Sequence, residues 1–206
     1  MNIHYPSARY STSCASPYSL PTPAGAEIAF AGRSNSGKSS TLNRLCRQRS
    51  LAHVSKTPGR TQMINFFLLQ SGQQLVDLPG YGFAKVPKKE QNRWHRLIET
   101  YLAQRAVLRG MIIVMDARRG LTEYDWQMLD WCAHRALPAH ALLNKADKLK
   151  RGALQKTLRE VKHTLETEYE GVSVQTFSAT KGLGLDGLYK KLDEWFSDHK
   201  LEKPIV

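Results

Sequence analysis

Apolar and polar positions along this chain form blocks that predict strands and helices in alternation. Short apolar runs such as EIAFA and GMIIVMDA are typical of buried strands. Between them lie longer segments with apolar residues at every third or fourth position, the spacing of amphipathic helices. The predicted strands are 27–31, 64–70, 73–79, 110–117, 139–144 and 172–179, and the predicted helices are 41–49, 92–106, 123–136, 154–169 and 184–199.

The order of these elements predicts an α/β fold. Segments 64–70 and 73–79 flank a Ser-Gly turn and form a predicted hairpin, after which strands and helices alternate. Alternation of this kind is typical of a parallel sheet covered on both faces. We therefore expect three layers, with helices on both faces of a mostly parallel six-stranded sheet that has one antiparallel edge strand. In such sheets ligands bind at the carboxyl ends of the strands.

Length and composition indicate one folded domain, which we place at 25–199 of the 206 residues. Residues 1–24 are polar and rich in Pro and Ser, so we expect a poorly ordered arm, and 200–206 form a tail. No apolar stretch approaches the roughly 20 residues that span a bilayer, and no secretory signal is recognisable. Three widely separated cysteines match no metal spacing. We expect a cytoplasmic protein with reduced thiols and no membrane partner.

Charge is distributed unevenly. The net charge is +12, and no acidic residue occurs between Glu27 and Asp77. A large positive excess suggests binding to a polyanion. Two basic groups flank the segment 77–85, which favours a surface that faces RNA, although a solvated basic surface is the alternative. The first group is Arg33, Lys38, Arg44, Arg47, Arg49, Lys56 and Arg60, and the second is Lys85, Lys88, Lys89, Arg93 and Arg96.

The segment GRSNSGKS at 32–39 matches the phosphate-loop pattern G-x-x-x-x-G-K-[ST], between a predicted strand and a predicted helix. Its glycines let the backbone wrap around a phosphate, and the exposed N–H groups face the negative charge. Lys38 is placed to reach the β- and γ-phosphates, and Ser39 to bind Mg²⁺. A glycine-rich turn without a ligand leaves the Lys-Ser pair unexplained, so we predict a nucleotide site.

Two later segments favour guanine over adenine. Asp147 of NKAD (144–147) can accept hydrogen bonds from N1–H and the 2-amino group of guanine, and adenine has neither donor on that edge. Asn144 would brace the loop, and Lys145 can lay its apolar stem over the ring. In SAT (178–180), the backbone N–H of Ala179 could donate to guanine O6. Each segment is weak alone, but their order along the chain is typical of a GTP site.

At this point the chain resembles the EngB (YihA/YsxC) family of bacterial ribosome-assembly GTPases, within the translation-factor-related class. The segments that carry the resemblance are EIAFAGRSNSGKSS, KTPGRTQMINFF, LVDLPGYGFAKV, NKADKL and FSATKGLGLDGL. The resemblance implies a Ras-like G domain, a P-loop NTPase that hydrolyses GTP. It further implies a role in large-subunit maturation, a link to cell division and septation, and a monomer off the ribosome. The family commonly has Thr where Asn144 stands, but Asn is the commoner residue across GTP-binding domains.

The resemblance also implies a set of site residues. Lys38, Thr61 and Gly80 would be catalytic. Ser39 and Thr61 would bind Mg²⁺ directly and Asp77 through water, with Thr61 preferred over Thr57. The residues implied to contact GTP are Gly32, Arg33, Ser34, Asn35, Ser36, Gly37, Lys38, Ser39, Gly59, Arg60, Thr61, Gln62, Met63, Asp77, Leu78, Pro79, Gly80, Asn144, Lys145, Ala146, Asp147, Ser178, Ala179 and Thr180.

The residue after Gly80 departs from many GTP-binding domains, which place a water-orienting Gln there. Here it is Tyr81, whose phenol cannot both donate and accept as an amide does. We therefore expect slow intrinsic hydrolysis, helped by a partner or a cation. In some related GTPases the Asn at the position of Asn35 helps to hold a potassium ion, so K⁺ is a second candidate cofactor; an Asn that caps its own loop is the alternative.

Three functions compete at this stage. The first is a GTPase switch that docks on large-subunit precursors and their ribosomal RNA when GTP is bound. A small-molecule kinase could use the same phosphate loop, but the sequence has no Arg-rich lid and NKAD would have no use. The third is a nucleic-acid-binding module in which nucleotide is only structural.

Overall fold

The computed structural model describes residues 3–52, 63–81 and 88–197. The strands are β1 (Arg9–Cys14), β2 (Glu27–Gly32), β3 (Ile64–Leu68), β4 (Gln74–Asp77), β5 (Leu108–Asp116), β6 (Ala139–Asn144) and β7 (Val172–Thr176). The helices are α1 (Lys38–Leu45), α2 (Lys88–Gln104), α3 (Glu123–His134), α4 (Arg151–Glu168) and α5 (Leu185–Ser197). Short 3₁₀ turns lie at Tyr5–Ser7, Pro17–Ser19 and Ala146–Lys148.

The strands form one sheet in the order β1-β3-β4-β2-β5-β6-β7. Strands β4, β2, β5, β6 and β7 pair in parallel, whereas β3 runs antiparallel to both of its neighbours. The predicted α/β class and mostly parallel sheet are confirmed. The described residues contain seven strands instead of the six expected, and the antiparallel strand is not at the edge because β1 covers it.

The amino-terminal segment differs from the poorly ordered arm that we expected. Strand β1 pairs with β3 along Arg9–Cys14, and Tyr5 is buried and donates a hydrogen bond to Asp193 of α5 at 2.6 Å. Strand β1 is exposed over its first three residues, so its sequence lacks the apolar run that marks a buried strand. The strand is stabilised by pairing with β3, which is distant in the sequence. The sheet therefore begins before residue 25, the boundary we expected, and 200–206 lie outside the described residues.

Two apolar cores lie on opposite faces of the sheet, as period-two alternation requires. Ala29 and Ala31 of β2 face one core together with buried residues of α2, α3 and α4. Ile28 and Phe30 face the other core with α1, α5 and the amino-terminal segment. Packing on both faces fixes the carboxyl ends of the strands, where the loops with the predicted site residues begin. No helix in the described ranges is both long and apolar enough to cross a membrane.

A buried ion pair lies at the amino end of β2, opposite the carboxyl end from which the phosphate loop starts. Arg105 Nη2 donates to Glu27 Oε1 at 2.5 Å and Arg105 Nε donates to Glu27 Oε2 at 3.1 Å. The Tyr101 hydroxyl also donates to this carboxylate at 2.9 Å. Glu27 has no exposed surface and Arg105 is 5% exposed. Three donors therefore hold the carboxylate, and losing the guanidinium would leave a buried charge uncompensated.

Replacing Arg105 with Met keeps most of the volume but removes the charge that compensates Glu27. We expect the free energy of unfolding to fall by about 3–5 kcal/mol, measured by urea denaturation. The matched control is Lys162→Met, because its pair with Glu166 is more than half exposed on both sides and should matter little. Equal losses in the two variants would contradict the importance of the buried pair.

Candidate nucleotide-binding site

The phosphate loop joins β2 to α1 at the carboxyl edge of the sheet. Gly37 precedes α1 with a φ of 98°, a left-handed conformation that favours glycine. A Cβ at Gly37 would also collide with the side-chain amide of Asn144. The loop then enters the helix directly, since Thr41 N–H donates to Gly37 O at 2.8 Å. The loop thus has the backbone geometry, strand before and helix after, that phosphate binding requires.

Lys38, the first residue of α1, and Asp77, the last residue of β4, contact each other beside the phosphate loop. The Lys38 ammonium forms an ion pair with Asp77 Oδ1, and both residues are at least nine-tenths buried. Asp77 ends β4, which pairs with β2 in register so that Asp77 lies opposite Phe30. A cation and a carboxylate are therefore held side by side at the place where a strand and a helix meet. A polyphosphate can compete for the Lys38 ammonium, and a hydrated divalent cation can compete for the Asp77 carboxylate.

The segment after Asp77 lies against the phosphate loop. Leu78 N–H donates to Phe30 O at 3.0 Å, and Ser34 N–H donates to Tyr81 O at 2.8 Å. The backbones of Arg33 and Tyr81 form an isolated parallel β-bridge. A Cβ at Gly80 would come no closer than 3.6 Å to a neighbouring atom, so packing alone does not require glycine here. The proximity of 77–81 to the phosphate loop is compatible with the catalytic role and GTP contact that the resemblance implies for Gly80, and both stay predictions.

The side chain of Tyr81 is buried among aromatic residues. Its ring is 3% exposed and contacts Trp94 and Tyr124, and its hydroxyl donates to Asp125 Oδ1 at 2.8 Å. Burial raises the pKa of Tyr81 well above its usual value, and Asp125 adds to this. The phenol is therefore neutral and engaged in anchoring the segment to α3. Its hydroxyl already has a partner in Asp125, as the expected absence of a water-orienting Gln at this position would allow.

Asn144 connects the phosphate loop with the segment 178–180. Its Nδ2 donates to Ser36 O at 2.8 Å, and its Oδ1 accepts from Ala179 N at 3.0 Å. Asn144 is 2% exposed at the end of β6. The expected bracing role is thus visible in the contacts. The Ala179 N–H that we expected to reach guanine O6 donates to Asn144 instead, so a bound base would have to share or displace that bond.

Asp147 lies in the 3₁₀ turn that follows β6. Its Oδ1 accepts from Ser178 Oγ at 2.6 Å, and Ser178 Oγ also accepts from Lys181 N at 3.1 Å. The hydrogen bond from Ser178 lowers the pKa of Asp147 below its usual value. The carboxylate is therefore ionised at neutral pH and oriented by a fully buried serine. An ionised carboxylate accepts hydrogen bonds and does not donate them, which suits it to the amino edge of guanine.

Sequence reasoning missed the supporting role of two residues in these loops. Arg44 of α1 donates from Nε to Ala179 O and from Nη2 to Thr180 O, each at 2.6 Å. Asp116 at the end of β5 contacts Lys145 and Arg118. An acidic residue that ends an apolar strand at the carboxyl edge was the available signal for Asp116. Nothing in the sequence pattern indicated that Arg44 would hold two carbonyls.

Four predicted contact residues, Gly59, Arg60, Thr61 and Gln62, lie outside the described residues, as does Thr57. Met63 is described and is 38% exposed. The other predicted contact residues follow the carboxyl ends of β2, β4, β6 and β7. Their convergence on one edge of the sheet makes a nucleotide site geometrically possible.

Two family models match the chain. One is described as "50S ribosome-binding GTPase" and covers residues 27–145, and the other, "Elongation factor Tu GTP binding domain", covers residues 97–198. A "Probable GTP-binding protein EngB" from Vibrio parahaemolyticus serotype O3:K6 is 49% identical over 96% of this chain and 90% of its own length. The protein of the same name from Azoarcus sp. (strain BH72) is 52% identical over 91% of this chain and 90% of its own.

Solved structures agree with the sequence relatives. The "Crystal structure of a probable GTP-binding protein engB" matches with a TM-score of 0.68 and 26% identity, over 84% of this chain and 99% of that one. A single-residue variant of Aquifex aeolicus Era bound to GDP·AlF₄⁻ matches with a TM-score of 0.63 over 82% of this chain and 56% of its own. At 21% identity this second likeness shows the fold alone.

Replacing Tyr81 with Phe removes the hydroxyl that donates to Asp125 and keeps the ring. We expect the free energy of unfolding to fall by about 1–2 kcal/mol, because a buried acceptor loses one partner. GTP turnover should stay close to that of the unmodified protein. Chemical denaturation and phosphate release measure the two effects.

The control for this variant is Tyr169→Phe, whose hydroxyl bonds Asp130 at 2.5 Å near the surface and should contribute little. A fall in turnover of about tenfold or more with unchanged stability would show that Tyr81 takes part in the chemistry.

Proposed function

Because this chain belongs to the EngB family of GTP-binding proteins, we propose that it is a Mg²⁺-dependent GTPase switch that acts in assembly of the large ribosomal subunit. Its GTPase domain makes it a GTP-hydrolysing enzyme. The alternative of a small-molecule kinase is not favoured, because the matching families and relatives are described as GTPases or GTP-binding proteins. The proposal extends the family assignment to particular residues, a cation and a partner.

One observation carries the proposed site: the Asn144 amide ties the phosphate loop to the segment 178–180. With this link, the Lys38 ammonium and the Asp147 carboxylate flank one edge of the sheet. Lys38 would grip the β- and γ-phosphates, and the exposed N–H groups of the phosphate loop would cradle them. Asp147 would accept from N1–H and the 2-amino group of guanine. Selectivity follows because adenine leaves the carboxylate without a donor.

Magnesium fits the donor set at the phosphate end. Ser39 in the first turn of α1 supplies a hydroxyl, and Asp77 supplies a carboxylate next to Lys38. Oxygen donors of this kind suit a hard cation that keeps several waters. We propose that Ser39 and Thr61 would hold the ion directly and Asp77 through a water. When bound, Mg²⁺ would neutralise charge on the phosphate oxygens.

Slow intrinsic hydrolysis is part of the proposal. The burial of Tyr81 supports it, because the position that often carries a water-orienting Gln is engaged in the core. Asn35 is exposed at a φ of 65° on the phosphate loop. We propose that its side chain is free to help hold a potassium ion near the phosphates. Equal rates of GTP turnover in sodium and in potassium would contradict a role for potassium.

A ribosomal partner is supported by charge and by the family. The matching family is described as ribosome-binding, and the chain carries a net charge of +12. Exposed arginines of the first basic group include Arg47 and Arg49 in the turn after α1. We propose that these contact ribosomal RNA phosphates in the GTP-bound form. The protein would act in the cytoplasm as a monomer off the ribosome, with a link to cell division and septation.

Replacing Asp147 with Asn tests the base-reading role. The amide donates where the carboxylate accepted, so it clashes with the 2-amino group of guanine but pairs with the 2-oxo group of xanthine. We expect GDP binding to weaken by about tenfold or more and XDP binding to strengthen, measured by fluorescent-nucleotide titration. Asp186→Asn makes the same chemical change at an exposed residue of α5 and should leave both affinities unchanged. Unaltered GDP binding in Asp147→Asn would contradict the site.

Docking on large-subunit precursors should be tighter with a non-hydrolysable GTP analogue than with GDP at matched salt. The double variant Arg47→Ala/Arg49→Ala should bind more weakly, and its log–log salt dependence should be shallower by about one for each phosphate that is no longer neutralised. Lys156→Ala/Lys162→Ala removes the same charge from α4 and serves as the control. Co-sedimentation measures both effects. Identical binding in the two nucleotide states would count against the switch.

A further inference from the structure

Asp116 is a buried carboxylate next to the NKAD segment. It ends β5 and lies opposite Asn144 in the register of β5 and β6. Ala117 N–H donates to Asn144 O at 2.8 Å, so the backbone after Asp116 is attached to the start of NKAD. Asp116 is 9% exposed. None of the sequence motifs includes this residue, yet the sheet register brings it beside Lys145.

The Lys145 ammonium is held between two oxygen atoms from different elements. Its Nζ donates to Asp116 Oδ2 at 2.9 Å and to the carbonyl of Asn35 in the phosphate loop at 2.5 Å. Lys145 itself has a φ of 64°, which is uncommon for a residue with a side chain. With the backbone fixed at one end and the ammonium at the other, the aliphatic stem has little freedom.

Arg118 orients the Asp116 carboxylate. Its Nε donates to Oδ1 at 2.8 Å, its Nη2 donates to Oδ2 at 2.6 Å, and its backbone N–H donates to Oδ1 at 3.1 Å. Burial would raise the pKa of Asp116, but the hydrogen bonds from Arg118 and Lys145 outweigh burial and hold the pKa below the usual range. Both carboxylate oxygens therefore face cations, and the negative charge is kept at neutral pH.

We propose that Asp116 is a positioning residue for purine binding, which acts by fixing the stem of Lys145 against the face of the base. The stem offers apolar surface to any purine ring, whereas Asp147 distinguishes the substituent at position 2. Asp116 thus sets the affinity for the ring, and Asp147 sets the choice among purines. This inference rests on the proposed base-covering role of Lys145.

Asp116→Asn is the informative substitution. The amide keeps the size of the side chain, but Oδ1 faces Arg118 and Oδ2 faces both Arg118 and Lys145, so an NH₂ group must point at a cation in either orientation. In one orientation Lys145 faces the NH₂ group and loses its partner, and in the other it keeps a hydrogen bond to the amide oxygen but loses the negative charge, so the stem is held less firmly in both. We expect GDP and IDP to bind about tenfold more weakly, with the ratio of their affinities unchanged.

The experiment titrates fluorescent GDP and IDP into Asp116→Asn, Lys145→Ala and the double variant. If Asp116 acts through Lys145, the double variant binds no more weakly than Lys145→Ala. Asp147→Asn provides the contrast, because it should change the ratio of GDP to IDP affinity. Asp130→Asn is the matched control, since Asp130 belongs to α3 and accepts a hydrogen bond from Tyr169 near the surface. Thermal unfolding of each variant without nucleotide separates a folding defect from a binding defect.

The outcomes are distinguishable. Normal GDP binding in Asp116→Asn together with weak binding in Lys145→Ala overturns this inference and leaves the proposed site intact. Normal binding in Lys145→Ala overturns the base-covering role and this inference with it. Additive losses in the double variant also overturn the inference. Should Asp116→Asn fail to fold, Arg118→Ala, which alters a side chain 48% exposed, is expected to weaken both nucleotides by a smaller factor, and unaltered binding there overturns the inference.

Discussion

The side-chain amide of Asn144 is the contact on which the candidate site depends. Its two hydrogen bonds join the phosphate loop to the segment 178–180, and a Cβ at Gly37 would collide with it. A buried amide that both donates and accepts satisfies two backbone groups that would otherwise be unpaired. Losing it would separate the part of the site proposed for phosphate from the part proposed for the base.

The parallel sheet makes this contact possible. Strands β2 and β6 are not neighbours, since β5 lies between them. Their carboxyl ends still meet at one edge, because every parallel strand ends there. Apolar packing on both faces holds these ends in register, so polar loops can be placed with little freedom. Apolar residues therefore hold the sheet together, and the ionisable residues of the candidate site lie in or next to the loops at its carboxyl edge.

Much of the fold was predictable from local pattern, because period-two and period-3.6 alternation report which face of an element is buried. Strand β1 was not, since RYSTSC has no continuous apolar run and becomes a strand by pairing with β3. The site divides in the same way. Motif spacing predicted where Lys38 and Asp147 would lie, whereas the Asp116–Lys145 contact depends on the register of β5 with β6, which sequence spacing does not reveal. The hydrogen bond from Tyr81 to Asp125 likewise joins residues 44 positions apart, which no local pattern indicates.

At the centre of the proposed function, one ionised carboxylate reads the 2-amino edge of a purine while a lysine in the phosphate loop holds its phosphates. Calorimetric titration of nucleotide-free protein with GTP, ITP and ATP at equal Mg²⁺ tests this most directly. We predict that GTP binds most tightly, ITP more weakly because it lacks the 2-amino group, and ATP most weakly. Equal affinities for the three nucleotides would contradict it.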